Sequence, residues 1–212
     1  RISSAASDVY KRQPGRVMIW GDPHISTIFG KIYTLEHIEG VFNVFTNEEI
    51  SIRGEFWKPY EDEGLGHTYF KKIGIQIAGG SEVIIVDMSN FKVTRPKNYE
   101  THYVDFEEIE VPFTIKKGTN ELLEHDINVY WSRIPRSKFY EDVTQKYSDI
   151  VDPCIRIEYG KFYAEMIDLR ELKDVLNQVN FNIKYLFDSY YKNRASGIII
   201  KNDYANIERS LT

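Results

Sequence analysis

KIYTLEHIEGVFNVFTNEEISIRGEFW, residues 31–57, is the stretch whose reading decides the fold of this chain. Three runs within it, KIYTLEH (31–37), GVFNVFT (40–46) and EISIRGEFW (49–57), alternate apolar and polar side chains. Successive side chains of a strand point to opposite faces, so this alternation predicts half-buried strands. β-Branched and aromatic residues fill most of the apolar positions, as pleated sheets favour. Ile32, Tyr33, Val41, Phe42 and Val44 are expected to divide between the two faces of a sheet.

The same pattern continues in both directions. RVMIW (16–20) precedes it, and YFKKIGIQI (69–77), EVIIVDM (82–88), NFKVTR (90–95) and IEVPFTIKK (109–117) follow. Turn-forming residues separate the runs: Phe29-Gly30-Lys31, Glu39-Gly40, AGGSE (78–82), MSN (88–90) and KKGTN (116–120). Then come INVYWSRI (127–134), CIRIEYGKFYAEMI (154–167) with Gly160 at its turn, NFNIKYL (180–186) and GIIIKN (197–202). About a dozen short strands at this spacing predict an all-β fold, an antiparallel sandwich or meander.

Two segments have helical spacing instead. RSKFYEDVTQKYSDIV (136–151) puts Phe139, Val143 and Tyr147 on one face. DLRELKDVLNQV (168–179) does the same with Leu169, Leu172, Leu176 and Val179 behind an Asp168 cap. One or two short helices are therefore expected among the strands. EDEGLGHT (61–68) reads as an exposed acidic loop. With no internal repeat and no linker, residues 14–212 read as one domain.

The opening residues stand apart. SSAASDVYKRQ (3–13) has neither apolar periodicity nor the apolar core of a signal peptide. It is similar to the in-frame translation of a transposase sequencing adapter, whose end reads Asp-Val-Tyr-Lys-Arg-Gln. Residues 1–13 are accordingly set aside as an artefact, and Val9 and Tyr10 are expected to lie outside any core. The natural sequence is taken up near Pro14, with its own N-terminus upstream.

Charge and cysteine content narrow the function classes. The chain of 212 residues carries a formal net charge of -5, which becomes -7 without Arg1, Lys11, Arg12 and Asp8. A nucleic-acid footprint needs a basic face, so no nucleic acid is expected as a partner. No apolar run approaches the length of a membrane span. Cys154 is the one cysteine, and no Asn-x-Ser/Thr acceptor occurs. Both features fit folding in a reducing compartment or a virion rather than in the secretory pathway.

Residues 20–46, WGDPHISTIFGKIYTLEHIEGVFNVFT, carry a family resemblance. Gly21, Asp22, Pro23, His24, Thr27, Phe29, Gly30, Tyr33, Gly40 and Phe42 match the opening of von Willebrand factor type D domains, which this stretch resembles. In that pattern a G-D-P turn leads into a hairpin whose own turn sits at Phe29-Gly30-Lys31. TYFKKIGIQIAGGSEVIIVDMSNFKV (68–93) resembles the family's paired strands, Val111-Pro112-Phe113 its next segment, and ASGIIIKND (195–203) its closing strand. The resemblance implies that the G-D-P-H turn lies close to that strand. The family is cysteine-rich and ends in a C-G-N signature, both of which this chain lacks.

The resemblance also supplies the sharpest chemistry. Some family members cut themselves between the Asp and Pro of this motif. Here Asp22 would attack its own main-chain carbonyl, His24 would donate the proton, and the Pro23 nitrogen would leave. The plainer reading is a tight turn in which Asp22 accepts backbone hydrogen bonds, and it is preferred. A second Asp-Pro bond, Asp152-Pro153, provides an internal comparison. Calcium is implied for the loop after the closing strand, where Asn202, Asp203 and Asn206 offer hard oxygen ligands. The usual acidic pair is missing, so a solvated turn is preferred and no cofactor is expected.

Other constellations are weak. His24, His37, His67, His102 and His125 are far apart in sequence and have no cysteine partner, as a transition-metal site would need. There is no G-x-S-x-G, AGGSE suits a hairpin turn, and Cys154 reads as a buried structural thiol. Trp20, Trp57 and Trp131 could mark an interface, although core packing is the commoner role. The expected function is a structural or interaction module with protein partners or self-assembly, as in a virion or surface layer. The rival is a protein that processes itself once at Asp22-Pro23.

Overall fold

The computed structural model describes residues 16–20, 24–35, 39–57, 69–97, 105–135, 151–171, 177–200 and 207–208. The chain begins with β1 (Arg16–Trp20), β2 (His24–Ser26), β3 (Ile32–Thr34), β4 (Gly40–Thr46) and β5 (Ile50–Trp57). It continues through β6 (Tyr69–Ile77), β7 (Glu82–Asp87), β8 (Lys92–Pro96), β9 (Phe106–Ile109) and β10 (Phe113–Ile115). A short 3-10 turn at Lys117–Thr119 leads to β11 (Ile127–Pro135), β12 (Val151–Tyr159), β13 (Phe162–Ile167) and β14 (Gln178–Asn182). Helix α1 (Ile183–Asn193) follows, and β15 (Ile207–Glu208) comes last.

Among the described residues the strands form two antiparallel sheets. The larger runs β10-β11-β12-β13-β14-β1-β2-β3, the smaller β15-β4-β5-β6-β7-β8-β9. Their facing sides share one core: Phe42, Val44 and Ile75 from the smaller sheet meet Ile19, Ile157 and Phe181 from the larger. This is the sandwich that the alternation predicts. Val41 and Phe42 are both fully buried, but Phe42 joins this core while its neighbour Val41 faces away, as the period of two requires.

The two margins of the sandwich are built differently. At one, β9 ends the smaller sheet and β10 ends the larger, with residues 110–112 crossing between them. At the other, residues 196–200 join the sheets. Ser196 exchanges both backbone hydrogen bonds with Thr46, at 2.8 and 3.0 Å, and Ile198 and Ile199 donate to Asn43 and Val44 of β4. From the opposite side Ile28, in the β2–β3 turn, donates to Ile199 at 2.9 Å.

Several sequence expectations require correction. The described part of GIIIKN is not a strand: Gly197 is a bend and Ile198–Ile200 form a turn, with all three isoleucines buried between the sheets, while Lys201 and Asn202 lie outside the described residues. IEVPFTIKK is not one strand either, since Ile109 ends β9 and Phe113 begins β10 in the other sheet. In NFKVTR, Asn90 and Phe91 belong to the turn before β8, and Phe91 has φ 55.

The second helical expectation is corrected at its end, while most of both expected helices lies outside the described residues. Residues 136–150 and 172–176 fall outside the described set, as do Val9 and Tyr10. Val151 opens β12, and Gln178 and Val179 belong to β14. Leu169 packs with Ile134, Cys154 and Ile167 on the outer side of the larger sheet, whereas Val179 is in the main core. They therefore do not share a helical face. Asp168 accepts from the Arg170 amide and guanidinium, closing a local turn, and the residues that it was expected to cap, 172–176, lie outside the described set.

The α-helix among the described residues, α1, begins inside NFNIKYL, where a strand was expected. Asn182 ends β14 and caps the helix, its Oδ1 accepting from Lys184 N at 3.1 Å. Buried Ile183, Leu186 and Ser189 face inward, and Tyr185 rests against Phe45 and Phe162 at one end of the core. The Tyr185 hydroxyl accepts from Asn47 and donates to Glu49 at 2.8 Å. Burial, aided by the Glu49 carboxylate, pushes this phenol well above its ordinary value.

The sign of the resulting pH effect follows. Above about pH 10 the unfolded phenol ionises while the folded one stays protonated, so the unfolded state gains and stability falls as pH rises. Alkaline denaturation monitored by tyrosine absorbance is expected to show this slope, and Tyr185→Phe to flatten it. An unchanged slope in the variant would mean that other tyrosines dominate.

Candidate functional site: the G-D-P-H hairpin

The larger sheet places the G-D-P-H motif. β1 lies between β14 and β2, with Ile19 opposite Val179 on one side and Ile25 on the other. Trp20 pairs with His24, so Gly21, Asp22 and Pro23 are the three residues between two paired positions. Asp22 and Pro23 themselves lie outside the described residues.

His24 is held from two directions. Its ring lies 5.3 Å from that of Trp20, and Nδ1 is 2.7 Å from Thr34 Oγ1. The hairpin register determines the second contact. Thr27 N donates to Lys31 O, Gly30 has φ 77, and Thr34 falls opposite His24. A tight turn needs a positive φ that glycine adopts without strain. Thr34 carries no motif signal of its own, although a turn centred on residue 29 makes residues 24 and 34 partners. With Nδ1 engaged, Nε2 is the ring atom left to exchange a proton.

The row continues across the sheet: Thr34, His24, Trp20 and Gln178 occupy successive paired positions, hence one face. Gln178 is buried and donates to Met18 Sδ at 2.8 Å and to Asn180 Oδ1. Neighbouring Arg156 bridges Glu158 at 2.7 Å and Glu165 at 3.2 Å, with its guanidinium over the Tyr163 ring. These polar groups lie on the side of the sheet opposite the shared core.

The remaining candidates are dispersed. Asn202, Asp203 and Asn206 lie outside the described residues, as do His37, His67 and His102. His125 is exposed beside Tyr159, far in register from His24. Among the described residues no group of three or more His, Cys, Asp or Glu side chains could hold a metal ion. Cys154 is fully buried in β12, which starts three residues before the expected strand. Trp57 and Trp131 are 43% and 45% exposed, so the reading of the tryptophans as core residues does not hold for them.

An exposed aromatic cluster adjoins this hairpin. Phe29, at its tip and 43% exposed, meets Phe187 and Tyr190 of α1 edge-on at 5.9 and 5.1 Å. Tyr191, 70% exposed, stacks on Phe187 and abuts Tyr190. Composition alone could not show this patch, because α1 was read partly as a strand.

Fold and site together define a class: an antiparallel β-sandwich with a helix closing one end and a G-D-P-H hairpin built into its larger sheet. No protein-family model matches the chain, and no curated protein matches it. No described helix is long and apolar enough to cross a membrane, which leaves membrane β-barrels unaddressed.

Proposed function

We propose that this chain is a non-catalytic structural or interaction module resembling a von Willebrand type D domain, working in an assembly such as a virion or surface layer. The observation that carries this reading is the aromatic patch of Phe29, Phe187, Tyr190 and Tyr191 on two rigid elements. Exposed aromatic clusters on well-anchored elements favour protein contacts, since they bury large area with little loss of side-chain freedom.

The second reading, self-processing at Asp22-Pro23, is favoured by His24, whose ring is fixed by Thr34 and Trp20 beside that bond. Intact mass over days at mildly acid pH separates the two. The module reading expects the folded chain to remain whole. Cleavage at Asp22-Pro23 in the folded state, sparing Asp152-Pro153 and abolished by Asp22→Asn, would overturn it. Asp152-Pro153 is a sound comparison because it lies within β12, paired to Ile134 and Arg133 in regular extended backbone.

A further inference from the structure

We infer that the aromatic patch docks a second copy of this chain, through the acidic margin on the far side of the sandwich. This inference rests on the module reading and names the partner. The patch is basic at its rim: Lys31 follows the Phe29-Gly30 turn, and Lys192 and Arg194 close α1, all three exposed. Asp188 is the one carboxylate in α1. Such a rim is unusual in a chain whose net charge is -5.

The opposite margin has the complementary character. β9 is the terminal strand of the smaller sheet, and Asp105, Glu107, Glu108 and Glu110 are exposed along it. Lys92 pairs with Glu108 at 3.1 Å, exposed Lys97 lies across from Asp105, and Arg95 is engaged by Glu82, so the four carboxylates still outnumber the two exposed lysines beside them. Half-buried Phe106 shares one face of the strand with Glu108 and Glu110, and half-buried Ile109 shares the other with Asp105 and Glu107, so each face offers apolar surface beside its carboxylates. Carboxylates along an edge strand also discourage edge-to-edge pairing of like copies, so the strand's complement is a basic surface and not another β9.

Topology places the two surfaces apart. Residues 196–200 join the β2–β3 turn to β4 at one margin, while residues 110–112 join β9 to β10 at the other. A patch at one margin and a complementary strip at the other make a heterologous contact. Repeated, it generates rings or open filaments rather than a closed two-fold dimer. Charge attraction across it is screened by salt.

Sedimentation velocity of the whole chain at low salt, over a wide concentration range, tests this. The expected result is association that grows beyond the dimer and weakens as salt is added. Lys31→Glu with Lys192→Glu, and separately Glu107→Lys with Glu110→Lys, are each expected to weaken it at least about tenfold. All four positions are exposed, and unchanged melting temperatures would verify folding. An equimolar mixture of the two variants is expected to associate again, since the reversed patch of one fits the reversed strip of the other. A monomeric parent chain, association unaffected by both reversals, or a mixture that stays monomeric would overturn the inference. Intact mass on the same samples keeps the two readings separate: an uncleaved monomer overturns self-docking alone, and folded-state cleavage at Asp22-Pro23 overturns the module reading.

Discussion

Gly197→Ala is expected to lower the melting temperature by roughly 10 °C or more, the largest effect of any small substitution in this chain. Gly197 has φ +130, a region that L side chains rarely adopt. A Cβ built there would lie 2.2 Å from Val44 O, 2.6 Å from Val44 C and 2.7 Å from Phe45 Cα. These are backbone atoms at the β4 bulge, where Val44 is passed over between Asn43 and Phe45, so no rotamer change relieves the overlap. The segment must move, and with it the hydrogen bonds from Ile198 to Asn43 and from Ile28 to Ile199. Strain and lost bonds together cost about 3–5 kcal/mol. Gly118→Ala is the control, because nothing lies within 4 Å of its Cβ position and its φ is ordinary. It is expected to change stability by less than about 0.5 kcal/mol. Equal melting temperatures for the two variants would refute the joining role assigned to residues 196–200.

The second large effect is Phe56→Ala, expected to cost about 3–5 kcal/mol by urea denaturation. The Phe56 ring meets Phe42 at 5.6 Å and Phe70 at 4.7 Å, both edge-on, and is fully enclosed. Truncation leaves a cavity that these rings cannot close without leaving their own rotamers. Gly54 explains the tightness: a Cβ there would stand 3.0 Å from Phe70 and 3.3 Å from Phe56. Gly54→Ala is therefore expected to destabilise the parent chain more than it destabilises the Phe56→Ala variant, where the vacated volume admits the methyl group. Simple additivity in that double-mutant cycle would show that the three rings are not one packed unit.

Gly40 and Gly197 open similar apolar strings that have different fates. GVFNVFT became β4 with the bounds expected for it, although it is buried on both faces and carries a bulge between Asn43 and Phe45 where simple alternation predicts a half-buried strand. GIIIKN has equally strong strand composition, yet Gly197 bends the backbone and the isoleucines fill the seam between the sheets. Composition reports that the segment is buried and stays silent on whether a neighbouring strand is there to pair with it. In DLRELKDVLNQV, local spacing favoured a helix, but pairing with β1 and β13 claimed Gln178 and Val179. Ladder hydrogen bonds and burial outweigh intrinsic propensity, which differs by only a few tenths of a kcal/mol for most residues.

The candidate site divides along the same line. By itself the sequence determined the antiparallel class and a turn about Phe29-Gly30, since both follow from local periodicity and turn chemistry, whereas Thr34 came to face His24 only through the observed register, centred on Phe29. It also marked Asp22, Pro23 and His24 as the motif with chemistry. Only the tertiary structure decided that the hairpin tip meets α1, that Phe29 joins Phe187 and Tyr190, and that residues 196–200 tie the two sheets together. Those contacts link positions more than 150 residues apart in sequence for Phe29 and Phe187, and their existence depends on where whole sheets come to rest. A side chain's local pattern specifies the face it presents; what that face meets is determined by the packing of the entire sandwich.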